Sequence, residues 1–223
     1  MNKDEMNNYR QKENSSPDDK TEAGSLKSPA LSQMEKRREV YASFGYDIEK
    51  ERLAIIRAAG PLSGRILEAG TGKGHFAAVL AGLGCRLISF DISDEQLEIA
   101  RENLAARGLD RLVELKKEDG EKLSFPDGYF DAIFSVNMVH HLENPWKVIS
   151  ELIRVLSPGG KLVISDFSPE GMEMMDSVHR LEGGKHEVAP AGLGEVEDFL
   201  SSSGFRVEKF QTRFQVTLVA FRK

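Results

Sequence analysis

Apolar residues along this chain change period in a regular way. Short apolar runs with the make-up of buried strands alternate with longer stretches whose apolar positions recur every three or four residues, as on one helix face. The short runs fall at Arg65–Glu68, Arg86–Asp91, Val113–Lys116, Phe130–Val136 and Lys161–Asp166. Between them the spacing predicts helices over His75–Leu83, Glu95–Arg107 and Pro145–Leu156, the last with Trp146, Ile149, Ile153 and Leu156 on one face. Ser93 is placed to cap the second of these helices and Gly108 to end it. Strand alternating with helix is the signature of a parallel sheet covered on both faces. The last part departs from that rhythm. After a short helix over Glu195–Ser203, two apolar runs, Phe205–Phe210 and Gln215–Phe221, follow without a helix between them, and so short a connection makes them antiparallel. The expected fold is α/β: a doubly wound, mostly parallel sheet with one antiparallel strand near its C-terminal edge and helices on both faces.

Outside this core the pattern weakens. Residues 1–33 are polar and rich in Asn, Ser, Asp and Lys, a composition that cannot offset its ordering entropy, so they are expected to form a disordered leader. Residues 34–223 then make a single domain. Its first part, 34–60, carries Val40, Phe44, Ile48, Leu53 and Ile56 at helical spacing, broken near Gly45 and ended by Gly60-Pro61, and reads as a cap helix region. Residues 168–194, with Gly171, Gly183, Gly184, Gly192 and Gly194, read as a lid-like insertion. The 223 residues include one cysteine, Cys85, which excludes an intrachain disulfide and a Cys-based metal cluster. No apolar run is long enough for a membrane span and the N-terminus lacks a signal-peptide core, so a cytoplasmic address is expected. A net charge of −6 argues against a general nucleic-acid binder.

Candidate chemistry concentrates in Ile66-Leu67-Glu68-Ala69-Gly70-Thr71-Gly72-Lys73-Gly74-His75-Phe76, a strand running through alternate glycines into a helix. Such a turn lets a ligand lie against bare backbone. A dinucleotide turn follows Gly-x-Gly-x-x-Gly; here the third glycine, Gly74, comes one position early and His75 stands where a glycine belongs. Four further stretches follow in order: Phe90-Asp91-Ile92-Ser93, Glu118-Asp119-Gly120-Glu121, Phe130 through Asn137 to Leu142, and Leu156-Ser157-Pro158-Gly159-Gly160. Together these five motifs resemble the class I S-adenosylmethionine-dependent methyltransferases, of the small-molecule type similar to quinone-biosynthesis methyltransferases. The resemblance covers Gly64–Phe167 closely and the terminal strand pair more loosely. It implies a Rossmann-like fold, S-adenosyl-L-methionine as cofactor and a small-molecule acceptor. It also implies that Gly70, Thr71, Gly72 and Gly74 form the floor of the methionine end, and that Asp91 binds the ribose hydroxyls with Ile92 packed on adenine. Asp119, beside Gly120, would accept from the adenine amino group, and Asn137 would lie beside the transfer centre. Glu68 either touches the ligand or holds the loop amides.

Methyl transfer from a sulfonium needs positioning and exclusion of water, and a base only where the acceptor must lose a proton. His140 and His141 end the fourth strand; His140 is the candidate catalytic residue for acceptor contact and His141 the structural one. The acceptor is expected between the Tyr41–Phe44–Tyr46 region and the 168–194 segment. His179 and His186, with Glu182 and Glu187, match no standard zinc spacing, so no metal is expected. The Asn/Asp-Pro-Pro-aromatic motif of amide and base N-methylating relatives is replaced here by Asn137-Met138-Val139-His140. Two alternatives remain open at this point: a nicotinamide-dependent oxidoreductase, and a non-catalytic S-adenosylmethionine-binding regulator.

Overall fold

The computed structural model describes residues 38–181 and 191–222. The expected leader, 1–33, and part of the lid-like stretch, 182–190, lie outside the described residues. After a helical turn over residues 38–43, the chain runs α1 (Ile48–Ala59), β1 (Ile66–Ala69), α2 (His75–Gly82), β2 (Leu87–Asp91), α3 (Asp94–Ala105), β3 (Val113–Lys117) and β4 (Phe130–Val136). It continues through α4 (Pro145–Val155), β5 (Leu156–Phe167), α5 (Pro169–Leu181), α6 (Leu193–Ser202), β6 (Phe205–Gln211) and β7 (Gln215–Arg222). Local chemistry sets several of the boundaries. Asp47 caps α1 by accepting from the Lys50 N–H at 3.0 Å, Ser93 caps α3 by accepting from Gln96, and Pro145 occupies the first turn of α4.

The strands form one seven-stranded sheet in the order β3-β2-β1-β4-β5-β7-β6. All neighbours are parallel except β7, which runs antiparallel to both β5 and β6. The reversed strand therefore lies next to the edge, and β6 is the edge itself. On one face α4 and α6 bury Val148, Ile149, Leu152, Val196 and Leu200 against Leu67, Ile133 and Leu218. On the other, Ile55 and Ile56 of α1 and Phe76 and Leu80 of α2 pack on Ile66, Phe134, Val163 and Val219. Because β1 sits between β2 and β4, successive crossovers leave it in opposite directions, and a crevice opens at the C-terminal ends of these strands.

Two elements differ from the sequence expectation. β5 begins at Leu156, before the Pro158-Gly159-Gly160 turn, because Phe130 pairs with Leu156 and Ala132 with Lys161, which bulges the intervening residues out of the ladder. The lid-like stretch opens with a regular helix, α5, whose Met174, Met175 and Val178 are buried with Tyr46 and Phe214. Val40, Tyr41, Phe44, Ile48 and Phe167 pack around them, so the cap region and α5 share one small core.

Candidate functional site

The turn after β1 is shaped by its neighbours on every side. The Gly70 and Thr71 N–H groups both donate to the Phe90 carbonyl, at 3.0 and 2.9 Å, and Gly74 closes the turn on the Thr71 carbonyl at 2.9 Å. Gly70 has φ +80°, and a Cβ there would lie 2.7 Å from Met138 Sδ. Gly72 has φ +49° and nothing within 4 Å of where its Cβ would be, so the backbone faces open space at that point. Its N–H donates to Asp91 Oδ2 at 2.8 Å, while Asp91 Oδ1 accepts from Ser93 N at 3.0 Å. A carboxylate offers about four lone-pair sites, so Asp91 keeps acceptor capacity at the lip of the crevice. Beside it Ile92 is 65% exposed, a large apolar side chain left in water.

Beneath the turn lies a buried acid. Glu68 is 2% exposed; the Ser89 hydroxyl donates to its Oε2 at 2.5 Å, and Thr71 Oγ1 lies 2.6 Å from the same hydroxyl. Burial pushes the Glu68 carboxyl up to about 8, against the opposing pull of Ser89, Arg52 and the Ala77 N–H in the first turn of α2. Arg52 reaches this region from α1. Burial draws its guanidinium below the usual arginine range, with the Tyr46 and Tyr41 hydroxyls and Glu68 opposing, and no described side chain forms an ion pair with it. Across the crevice Asp119 is exposed and spends Oδ1 on the Glu121 N–H at 2.9 Å. A Cβ on Gly120 would sit 3.2 Å from Val148, so a small residue keeps that wall close to the sheet.

The end of β4 carries a second constellation. Asn137 has φ 53°, the left-handed region, and is the one non-glycine residue there among those described. Its N–H donates to the Ser165 carbonyl at 2.8 Å and its Oδ1 accepts from Gln215 Nε2 at 3.0 Å. Gln215, itself buried, also donates to the Tyr46 hydroxyl at 3.3 Å and accepts from Ser165 Oγ at 3.1 Å. Tyr46 is buried in the cap core, and burial pushes its hydroxyl up to about 12. Three residues beyond Asn137, His140 is 3% exposed and held twice by Asp166: its N–H donates to Oδ2 at 3.1 Å, and Nδ1 lies 2.5 Å from Oδ1. The exposed member of the histidine pair is His141, whose ring centroid is 3.9 Å from that of His140.

Comparison with known proteins places this geometry in a family. A family model described as a methyltransferase domain matches residues 67–164. The chain is 32% identical over 164 residues to a 27-O-demethylrifamycin SV methyltransferase of Amycolatopsis mediterranei, covering 71% of this chain and 60% of that protein. It is 30% identical over 190 residues to a ubiquinone/menaquinone biosynthesis C-methyltransferase of Pseudomonas putida, covering 78% of this chain and 73% of that one. The chain belongs to the class I S-adenosylmethionine-dependent methyltransferases. Among solved structures, a SAM-dependent methyltransferase from Aquifex aeolicus superposes with a TM-score of 0.63 at 23% identity, over 85% of this chain and 96% of that one, and so shares the fold. The chain spans less than two thirds of the length of several curated relatives it matches.

The sequence-predicted residues fall into two groups. Gly70, Gly72, Asp91, Ile92, Asp119, Gly120 and Asn137 stand around the crevice, at least partly exposed. Glu68, Thr71, Gly74 and His140 are buried. Arg52, Asp166 and Gln215 were not singled out from sequence: Arg52 is one of several charges on α1, and the other two acquire meaning only through partners 26 and 78 residues away. Among the described residues no helix is long and apolar enough to cross a membrane.

Proposed function

We propose that this chain binds S-adenosylmethionine across the β1, β2 and β4 ends and directs its methyl group, by in-line displacement, to a small-molecule acceptor. The fit of the cofactor rests on residues otherwise hard to explain. A guanidinium at Arg52 with no ion pair among the described residues suits the methionine carboxylate, the open face at Gly72 admits a ligand onto bare backbone, and the exposed Ile92 gains an apolar partner in adenine. Asp91 carries the reading: a fixed, half-buried carboxylate with spare lone pairs beside an exposed apolar side chain is what an adjacent pair of ribose hydroxyls requires. Asp119 has Oδ2 available for the adenine amino group, and Gly120 keeps the wall close. Glu68 and Thr71 act from behind the loop through Ser89, Gly70 and Gly74 shape it, and Asn137 borders the transfer centre.

When bound, the cofactor supplies a methyl group already activated by its positive sulfur. The chain has to orient the acceptor, keep water out and accept a proton where one must leave. His140, aligned by Asp166, is the candidate for the last task, with the tilted ring of exposed His141 against it as the nearer group to solvent. The roof formed by the cap region and α5 bounds the acceptor side with Tyr41, Phe44 and Met174. One named relative methylates 27-O-demethylrifamycin SV and the other is a C-methyltransferase of ubiquinone/menaquinone biosynthesis, which supports a small organic acceptor here. We read residues 34–223 as one catalytic domain, with a cap and a lid-like insertion, working in the cytoplasm.

Calorimetric titration of the full chain with S-adenosylmethionine tests the reading, followed by detection of S-adenosylhomocysteine on incubation with cell extract. Binding by the wild type and its loss, by about 100-fold, in Asp91→Ala are expected, since two charge-assisted hydrogen bonds are removed. Equal binding by both proteins would reject the assignment of Asp91.

A further inference from the structure

Each of the three central residues of the glycine turn is tethered to a neighbouring element, two to β2 and one to α3. The Thr71 hydroxyl lies 2.6 Å from Ser89 on β2, the Gly72 N–H donates to Asp91 at 2.8 Å, and the Lys73 carbonyl accepts from Asn103 Nδ2 at 2.9 Å. The third tether comes from α3, and nothing assigned so far requires it. Asn103 is 4% exposed on the inner face of that helix, where an apolar residue is the ordinary choice. Its Oδ1 is buried without a hydrogen-bond partner among the described residues. A half-satisfied buried amide costs stability, so its presence asks for a compensating role.

Packing around it identifies that role. A Cβ added at Gly74 would lie 3.0 Å from Ala100 Cβ, one helical turn before Asn103, so α3 rests directly on the back of the turn. Gly74 is left-handed and precedes α2 with no side-chain cap of its own. The Lys73–Gly74 peptide is therefore held at both ends: its N–H donates to the Thr71 carbonyl within the turn, and its carbonyl is fixed from outside by the Asn103 amide. We propose that Asn103 is a positioning residue for the cofactor loop: from α3 it pins this peptide and so holds the curvature that Gly70–Gly74 present to the ligand. Asn103 does not touch the ligand; it reduces the ordering the loop must undergo on binding. The proposal rests on the reading of this turn as the S-adenosylmethionine site.

Asn103→Leu separates positioning from simple structural support. Leucine has nearly the same shape and removes the unpartnered oxygen, while the partly exposed Lys73 region lets water take the freed carbonyl. Three measurements on the full chain are compared with wild type: thermal unfolding, hydrogen–deuterium exchange of the peptide spanning residues 70–76 without ligand, and calorimetric Kd for S-adenosylmethionine. The expected result is a Tm within about 3 °C of wild type, faster exchange confined to that peptide, and a Kd raised about five- to tenfold. Unchanged exchange and unchanged Kd overturn the proposal. A weaker Kd accompanied by a global fall in Tm also overturns it, because Asn103 is then only a structural residue. If the leucine variant does not fold, Asn103→Ala is read in the same way, and failure of both to fold counts against positioning. Localised fast exchange in a protein whose wild type binds no S-adenosylmethionine would sink the cofactor assignment and leave the tether standing.

Discussion

The buried carboxyl under the glycine turn should make stability depend on pH in a direction opposite to that of an ordinary salt-bridged acid. Glu68 is 2% exposed, and burial raises its carboxyl from the usual 4.5 to about 8. Between those values the unfolded chain has lost this proton and the folded chain keeps it. The unfolded state then binds fewer protons, so unfolding becomes easier as pH rises through the window, and the effect levels off above the folded-state value. Each pH unit inside the window costs about 1.4 kcal/mol. From pH 5 to pH 8 the loss attributable to Glu68 is therefore about 2–4 kcal/mol, the lower figure allowing for relaxation and water entry around the ionised group. Glu68→Gln keeps the shape, and its amide has no charge to bury. The assay is urea denaturation of both proteins at pH 5, 6, 7 and 8, read as the difference in unfolding free energy between wild type and variant. That difference cancels the other titrating groups. It should move against the wild type by the stated amount as pH rises. A difference constant to within about 0.5 kcal/mol across the series would refute the argument, since the extrapolated values carry errors of that order.

Two further substitutions probe the roof and the network beneath it. Gly171→Ala places a Cβ 2.3 Å from the Phe214 carbonyl oxygen and 3.1 Å from Phe167 Cβ. Because the first obstacle is backbone, α5 must shift, and a loss of about 2–4 kcal/mol is expected in chemical denaturation. Gln215→Leu strips the Asn137 Oδ1 and the Tyr46 hydroxyl of the partner each has in Gln215. A cost of about 1–3 kcal/mol follows, with binding of S-adenosylmethionine weakened by release of the left-handed Asn137. Full stability in this variant would show that water replaces the amide.

Much of the candidate site's local geometry was legible in sequence because its determinants are local. A turn that runs through left-handed backbone asks for glycine wherever it falls, and Asp91 ends its own strand, so the motifs at Gly70–Gly74 and Asp91–Ile92 could be read without knowing the rest of the chain. Helix α5 was less legible. Gly171 and the surrounding glycines suggested a mobile lid, yet Gly171 is small because the β6–β7 turn passes against it: the Ser168 N–H donates to Phe214 O at 2.9 Å and its hydroxyl to Arg213 O at 2.6 Å. That close approach is invisible to a periodicity drawn from one segment.

The histidine pair shows the same division. Sequence placed His140 and His141 at the end of β4 and favoured the first for acceptor contact, but which of two adjacent side chains meets solvent depends on what lies opposite. Asp166, at the end of the neighbouring strand, draws His140 inward and leaves His141 exposed. By itself, then, the sequence determined the order of strands and helices, the glycine turn and the acids that follow it, since periodicity and backbone conformation are properties of short segments. Only the tertiary structure decided the environment of each group: the burial that raises the Glu68 carboxyl, the burial that lowers the Arg52 guanidinium, the Gln215 clasp on Asn137, and the Asn103 tether behind the loop. Burial and hydrogen-bond partnership arise from residues far apart in the chain, and those are settled only when the sheet brings them together.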